Sequence, residues 1–78
     1  MMNKQQFLNA LEDILELEQN TLSGQEVLLD IEQWDSLAFL SVIAMADEHF
    51  DIVIQGDKLE KINTVNDLVS LVEEHFSA

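Results

Sequence analysis

Few residues of this chain could do chemistry on their own, and Ser36, in the stretch EQWDSLAFL over residues 32–40, is the most conspicuous. A nucleophilic serine needs a base. The chain offers only His49 and His75 for that role, and it lacks the G-x-S-x-G turn that exposes a catalytic serine. Both histidines fall near the ends of predicted helices, where a cation complements the helix dipole. A small hydrolase using Ser36 is therefore a hypothesis without a supporting base.

Other reactive sets are also missing from the sequence. It contains no cysteine, which excludes a thiolate nucleophile, a disulfide and a zinc-thiolate cluster. Acidic residues are numerous, but no window has the spacing and central glycine of a calcium-binding loop, so we predict no metal site. A chain of 78 residues forms a single domain, residues 1–78, whose thin core favours binding or carrying over catalysis.

The position of Ser36 allows two interpretations. It directly precedes a dense apolar run, so it could be the N-cap of a helix, which is worth roughly 1 kcal/mol. Asp35 could fill the same role and leave the Ser36 hydroxyl available. Trp34, just before, is expected to be a partly buried anchor or to line a ligand pocket. Residue types alone leave these alternatives open.

The elements that position Ser36 are predicted to be helices. Apolar residues at helical spacing predict helices over 3–18 and 36–50, and Thr64 with Asp67 forms a variant capping box that opens a helix over 64–76. A short helix is predicted over 57–62. In the first helix Asn9, Glu12, Asp13 and Glu16 are expected on the polar face. Residues 19–35 are predicted to form a long loop that its own apolar side chains hold against the body of the domain. The fold class is therefore an all-α bundle of three main helices and one short helix.

The second helix carries two apolar faces. An arc of about 100° is predicted to face the core and contains Phe39, Val42, Ile43, Ala46 and Phe50. The opposite arc holds Leu37, Leu40 and Ala44 beside Ser36, Ser41, Asp47 and Glu48. An apolar patch bracketed by carboxylates is a candidate docking surface for a partner. The alternative is that the preceding loop covers Leu37 and Leu40.

The charge limits the possible partners. A formal net charge of −13 repels nucleic acid and anionic membranes and steers basic protein surfaces toward the chain. Self-repulsion favours a monomer.

The N-terminal stretch does not resemble a signal peptide, and no apolar run is long enough to span a membrane. The expected location is the cytoplasm.

The sequence resembles the acyl carrier protein family and its peptidyl carrier relatives. The likeness rests on WDSL before an amphipathic helix, on DEHFDIVI at residues 47–54 and on KINTVNDLVSLV at residues 61–72. It covers nearly the whole chain and implies a four-helix acyl-carrier-like bundle with a long loop between its first two helices. It also implies that the protein is not an enzyme.

The resemblance further implies a covalent 4′-phosphopantetheine, derived from coenzyme A and attached to Ser36, whose thiol carries acyl or aminoacyl groups as thioesters. Asp35 and Leu37 would be the motif neighbours read by a phosphopantetheinyl transferase. Leu37, Leu40, Ala44, Asp47 and Glu48 would dock acyl-loading and acyl-using enzymes through their basic surfaces. Ile54, Leu59 and Ile62 would shelter the acyl group.

Three departures from the family pattern bear on the pathway. Ala38 and Ser41 are neutral where fatty-acid carriers usually have acids, and Trp34 replaces a small or aliphatic residue. They indicate a dedicated pathway with an amino acid, hydroxy acid or unusual acyl cargo, in place of housekeeping fatty-acid synthesis. The alternative function is an acidic, carrier-like interaction module that is never modified.

Overall fold

The computed structural model describes residues 2–76, which fold into four α-helices: α1 is Lys4–Ile14, α2 is Ser36–Phe50, α3 is Gly56–Glu60 and α4 is Val65–Val72. Short 3-10 turns lie at Leu28–Asp30 and Glu73–His75. Residues 2–76 contain no strand, only one antiparallel bridge between Val27 and Thr64. The all-α, four-helix prediction is confirmed, and α2 has the predicted bounds. None of the helices in this range is long and apolar enough to cross a membrane.

Helix α1 ends at Ile14, earlier than the predicted residue 18. Asn3 opens it with a capping box to Gln6. Glu16 then adopts a left-handed conformation, with φ of 59°, and the Leu17 N–H donates to the Glu12 carbonyl at 2.8 Å. A bond that reaches back five residues across a left-handed residue closes a helix in the Schellman manner. The usual glycine is absent, so the sequence carries no visible stop signal here.

Glu12 was predicted to lie on the polar face of α1, and this is wrong because its side chain is fully buried. One carboxylate oxygen accepts the Asn20 N–H at 3.0 Å, and the other accepts the N–H groups of Thr21 and Leu22 at 2.8 and 2.9 Å. A carboxylate buried with several charge-assisted hydrogen bonds is satisfied without leaving the core. Glu12 therefore holds the start of the long connection against α1.

The rest of the connection is bonded to the entrance of α4. The Asn66 N–H donates to the Gly24 carbonyl, the Val65 N–H to Glu26, and the Leu28 N–H to Asn63, all between 2.8 and 3.0 Å. These bonds surround the Val27–Thr64 bridge. The predicted long loop is thus a fixed part of the body, with Leu22 and Leu28 buried in the core.

A carboxylate also stabilises the turn at residues 23–26. Glu26 accepts the N–H groups of Ser23 and Gly24, each at 2.9 Å. Burial raises the pKa of Glu26, but the backbone N–H groups of Ser23, Glu26 itself and Gly24 outweigh that effect and hold the pKa below its usual value. The ionised form is therefore part of the folded turn.

Gly24 is required by this turn, and Gly24→Ala is expected to destabilise the protein by about 2 kcal/mol. Its φ is 109°, and an added Cβ would overlap the Asn66 side chain, whose Cγ would lie at 2.8 Å. Gly56→Ala is the matched control, because there the new Cβ would meet only the Phe39 ring at 3.8 Å. Urea unfolding of both variants measures the difference. A neutral Gly24→Ala would contradict the close approach of the two segments.

The core runs through all four helices. From α2 it takes Ala38, Val42, Met45, Ala46 and Phe50, whereas Phe39 and Ile43 are only partly buried. The predicted core arc was therefore wrong in part: its centre lies further toward Ala38 and Met45, because the Phe39 ring lines a cleft beside Trp34. Buried residues of the other helices include Phe7, Leu11, Leu59, Val65, Leu68 and Val72.

Helix α4 starts with the predicted capping box, which is confirmed. The Asp67 N–H donates to Thr64 Oγ1 at 3.2 Å, and Asp67 Oδ2 accepts the N–H groups of Asn63 and Thr64 at 3.0 Å each. The N–H groups of Thr64 and then Asn63 hold the pKa of Asp67 below its ordinary value of 3.8. The helix ends at Val72, before the predicted residue 76, and the 3-10 turn follows.

The lowered pKa of Asp67 predicts a pH-dependent effect of Asp67→Asn. A carboxylate whose pKa falls on folding stabilises the native state above its unfolded pKa, and that stability is lost as the pH falls through the folded pKa. The variant should therefore unfold more easily than the parent at neutral pH, and the difference should vanish in acid. Thermal unfolding from about pH 7 to about pH 2 measures it. Glu18→Gln, an exposed carboxylate in a chain of charge −13, should not destabilise at any of these pH values.

Candidate functional site

Asp35, and not Ser36, caps the start of α2. Its backbone is extended, its Oδ1 accepts the Ala38 N–H at 3.0 Å, and its carbonyl accepts the Phe39 N–H at 2.9 Å. Ser36 is the first helical residue, and its side chain is exposed. Of the two interpretations of Ser36, the structure therefore supports the one in which its hydroxyl is available at the surface.

The chain that leads to Ser36 is held by successive short-range bonds. The Ile31 N–H donates to the Leu28 carbonyl, the Trp34 N–H to Ile31, and the Asp35 N–H to Gln33, at 2.9 to 3.0 Å. Because the Leu28 N–H is bonded to the Asn63 carbonyl, this series of turns is anchored to the segment before α4. Ser36 is therefore presented from a fixed backbone, although a long connection precedes it.

A cleft of about 550 Å³ opens beside Ser36, between α2 on one side and α3 with the turn that follows it on the other. Its apolar lining comes from Leu29, Trp34, Phe39, Leu40, Leu59 and Ile62. The Trp34 and Phe39 ring centroids are 6.3 Å apart. Trp34 thus lies on the wall of the cleft. Its polar lining includes Asp35, Glu60 and Asn63.

The three residues assigned to an acyl pocket are not equivalent. Leu59 and Ile62 both line the cleft, Leu59 with only 1% of its surface exposed. Ile54 is buried at 7% exposure and lies in the core, away from the cleft lining. The structure therefore places Leu59 and Ile62 in the cleft beside Ser36, whereas Ile54 lies in the core and is not part of the cleft lining.

The second apolar arc of α2 faces outward. Leu37 is 73% exposed and Leu40 is 62% exposed, and Ala44, Asp47 and Glu48 are exposed as well. The alternative in which the loop covers Leu37 and Leu40 is therefore wrong: the loop bends toward the α4 entrance, where its backbone groups find partners.

Leu29, which the sequence pattern did not mark as a site residue, is the most exposed large apolar side chain between residues 2 and 76. It was grouped with the apolar residues that pin the loop. Its neighbour Leu28 is 1% exposed whereas Leu29 is 80% exposed, because consecutive side chains of a 3-10 turn point about 120° apart. In the sequence, the two adjacent leucines look alike.

The site contains no histidine that could activate Ser36. His49 is thirteen residues further along α2, which corresponds to about 20 Å of helix. His75 packs against Phe50 at that same end, with ring centroids 6.3 Å apart. Within residues 2–76, no group of three acidic or histidine side chains is placed to hold a metal ion. Chemically, then, the site offers an exposed hydroxyl.

Comparisons with known proteins agree with this arrangement. Residues 5–72 match a family model described as a phosphopantetheine attachment site. The chain is 30% identical over 70 residues to an acyl carrier protein of Picosynechococcus sp., a match that covers 90% of this chain and 86% of that protein. It is 42% identical over 41 residues to an acyl carrier protein of Zymomonas mobilis, a match that covers 53% of each. No solved structure matches the chain.

Proposed function

The chain belongs to the acyl carrier protein family, and from this premise we propose that Ser36 is the residue to which its 4′-phosphopantetheine is attached. Membership makes the protein a carrier and not an enzyme, with a covalent phosphopantetheine as its cofactor. The observation that carries the proposal is the exposed Ser36 hydroxyl at the first residue of α2, where Asp35 already provides the cap. We assign Asp35 and Leu37 to recognition by the modifying transferase.

The residues around Ser36 fit such a group. A phosphodiester at the first residue of a helix lies near N–H groups that lack intrahelical partners and near the positive end of the dipole, an effect of about 0.3 to 1 kcal/mol at an exposed site. When attached, the arm supplies the thiol that holds an acyl group as a thioester. The chain has no cysteine of its own, so its contribution is to display the arm and to bind partners.

Delivery depends on the exposed arc of α2. Leu37, Leu40 and Ala44 give an apolar centre, and Asp47 and Glu48 give an acidic margin. Such a surface suits basic, partly apolar areas around the active sites of acyl-loading and acyl-using enzymes, where complementary charge favours fast and reversible encounter. With a net charge of −13, we expect the protein to be a cytoplasmic monomer between encounters.

The cleft beside Ser36 is the proposed shelter for the cargo. Leu59 and Ile62 would contact the acyl group directly, and Ile54 would support the cleft from the core. The volume of about 550 Å³ is in the range of small-molecule sites.

We place the protein in a dedicated pathway of fatty acid, polyketide or nonribosomal type, not in housekeeping fatty-acid synthesis. Ala38 is 3% exposed, so a partner cannot contact it. The residues that favour such a pathway are therefore Ser41, which is neutral on the partner-facing side, and Trp34, which gives the cleft an aromatic wall suited to an unusual acyl or aminoacyl cargo.

A thiol titration tests the proposal directly. Because the chain has no cysteine, any thiol that it acquires belongs to an attached group. After incubation with coenzyme A, Mg²⁺ and a broad-specificity phosphopantetheinyl transferase, and removal of free coenzyme A, the denatured protein should contain one thiol per chain. The same sample without transferase should contain none. Absence of thiol with several transferases would leave the unmodified interaction module as the function.

A further inference from the structure

Leu29 is an apolar side chain without an evident structural role. It is 80% exposed, while Leu28 beside it packs fully inward and Ile31, just after the turn, packs partly inward. A single exposed leucine is ordinary on a protein surface. Leu29 is distinguished by its place, since it lines the same cleft as Ser36 and Leu40.

The turn that carries Leu29 is held on both sides. The Leu28 N–H donates to Asn63 at 2.8 Å, the Asp30 N–H donates to the Val27 carbonyl at 3.0 Å, and the Ile31 N–H donates to Leu28 at 3.0 Å. An apolar side chain on a fixed backbone loses little conformational entropy when a partner covers it. Leu29 therefore has the property of an interface anchor, a large apolar group that is already in position.

We propose that Leu29 is a docking contact for the phosphopantetheinyl transferase that modifies Ser36, an inference that rests on the proposed function. Together with Leu40, it forms an apolar collar beside the Ser36 hydroxyl, with one leucine from the loop and one from α2. An enzyme that reaches this hydroxyl must cover the cleft mouth. The fitting surface has an apolar depression bordered by basic side chains, because Asp30, Asp35 and Glu60 flank the collar of a chain with charge −13.

The reaction explains why this partner must approach so closely. The Ser36 oxygen forms a bond to the phosphorus of coenzyme A that bears the pantetheine. The bond from this phosphorus to the bridging oxygen of the diphosphate breaks, 3′,5′-adenosine bisphosphate leaves, and a base of the transferase takes the hydroxyl proton. Because the bond to phosphorus forms at the Ser36 oxygen, the transferase active site has to cover the collar of Leu29 and Leu40 beside it.

The experiment measures the steady-state transfer of phosphopantetheine from coenzyme A to the parent, to Leu29→Ala and to Val53→Ala. Val53 is a matched control, because it is 78% exposed and lies beyond the opposite end of α2. We expect Leu29→Ala to lower kcat/KM about tenfold, mainly by raising KM, and Val53→Ala to leave it unchanged. Because Leu29 is exposed, the circular dichroism spectrum and Tm should not change.

The possible outcomes separate this inference from the proposed function. If the parent is modified and Leu29→Ala is modified with the same kcat/KM, the docking role of Leu29 is wrong while Ser36 remains the attachment site. If both variants lose activity equally, the effect belongs to surface hydrophobicity in general, and the inference is again wrong. If the parent itself gains no phosphopantetheine, the proposed function is wrong, and the docking role of Leu29 is wrong with it.

Discussion

Ser36→Ala should acquire no thiol under conditions in which the parent acquires one per chain. The variant lacks the oxygen to which the phosphorus would bond, and no neighbouring group can replace it. Thiol titration after incubation with coenzyme A and transferase measures the result. We expect the loss of thiol to be complete, because the variant has no oxygen at this position to which the group could be attached.

The controls for this prediction come from the same helical bundle. Ser70→Ala removes an exposed hydroxyl on α4 and should be modified like the parent. Because Asp35 caps α2, Ser36→Ala should also keep its stability within about 0.5 kcal/mol, so a loss of thiol cannot be attributed to unfolding. A thiol on Ser36→Ala would show that another residue carries the arm.

Glu12→Ala should cause the largest loss of stability of any exchange considered for this chain, about 3 kcal/mol or more. The carboxylate is fully buried and accepts three backbone N–H groups, from Asn20, Thr21 and Leu22. The bond from Leu22 is buried and the other two are partly buried, and a buried donor left without a partner costs about 1 to 3 kcal/mol. A domain of this size is typically stable by only about 4 to 12 kcal/mol, so such a loss would remove about a quarter or more of the total. Urea unfolding at neutral pH measures the change.

Two further variants test the cause of that loss. Glu12→Gln keeps one acceptor oxygen but brings an NH₂ group toward the backbone donors. Its free energy of unfolding should therefore lie between those of the parent and Glu12→Ala. Glu18→Ala removes an equal charge from an exposed position and should change the free energy of unfolding by less than about 0.5 kcal/mol. If Glu12→Ala cost less than about 1 kcal/mol, the buried carboxylate would not be what holds the connection.

The sequence predicted α2 and the α4 cap accurately because their signals are local. Asp35, Ser36 and the apolar run mark one helix start, and Thr64 with Asp67 marks another, so side chain and backbone partners lie within a few residues. The end of α1 was missed for the opposite reason. Its left-handed residue is Glu16, and a glycine is the usual marker of that conformation.

The burial of Glu12 and the exposure of Leu29 could not be predicted because they depend on contacts distant in the chain. A glutamate among polar residues of a helix is normally solvated, and only the path of residues 20–22 makes Glu12 an internal acceptor. Leu29 is exposed because Leu28 is bonded to Asn63, thirty-five residues further on. The cleft likewise exists because α2 and the end of the long connection lie beside α3 and the turn that follows it.

The most direct test of the central claim is the intact mass of the parent chain after incubation with coenzyme A, Mg²⁺ and a phosphopantetheinyl transferase, followed by fragmentation of the peptide that contains residues 32–40. We predict a gain of one phosphopantetheine on the whole population, with every modified fragment assigning it to Ser36. An unchanged mass, or the group on any other residue, would contradict the account.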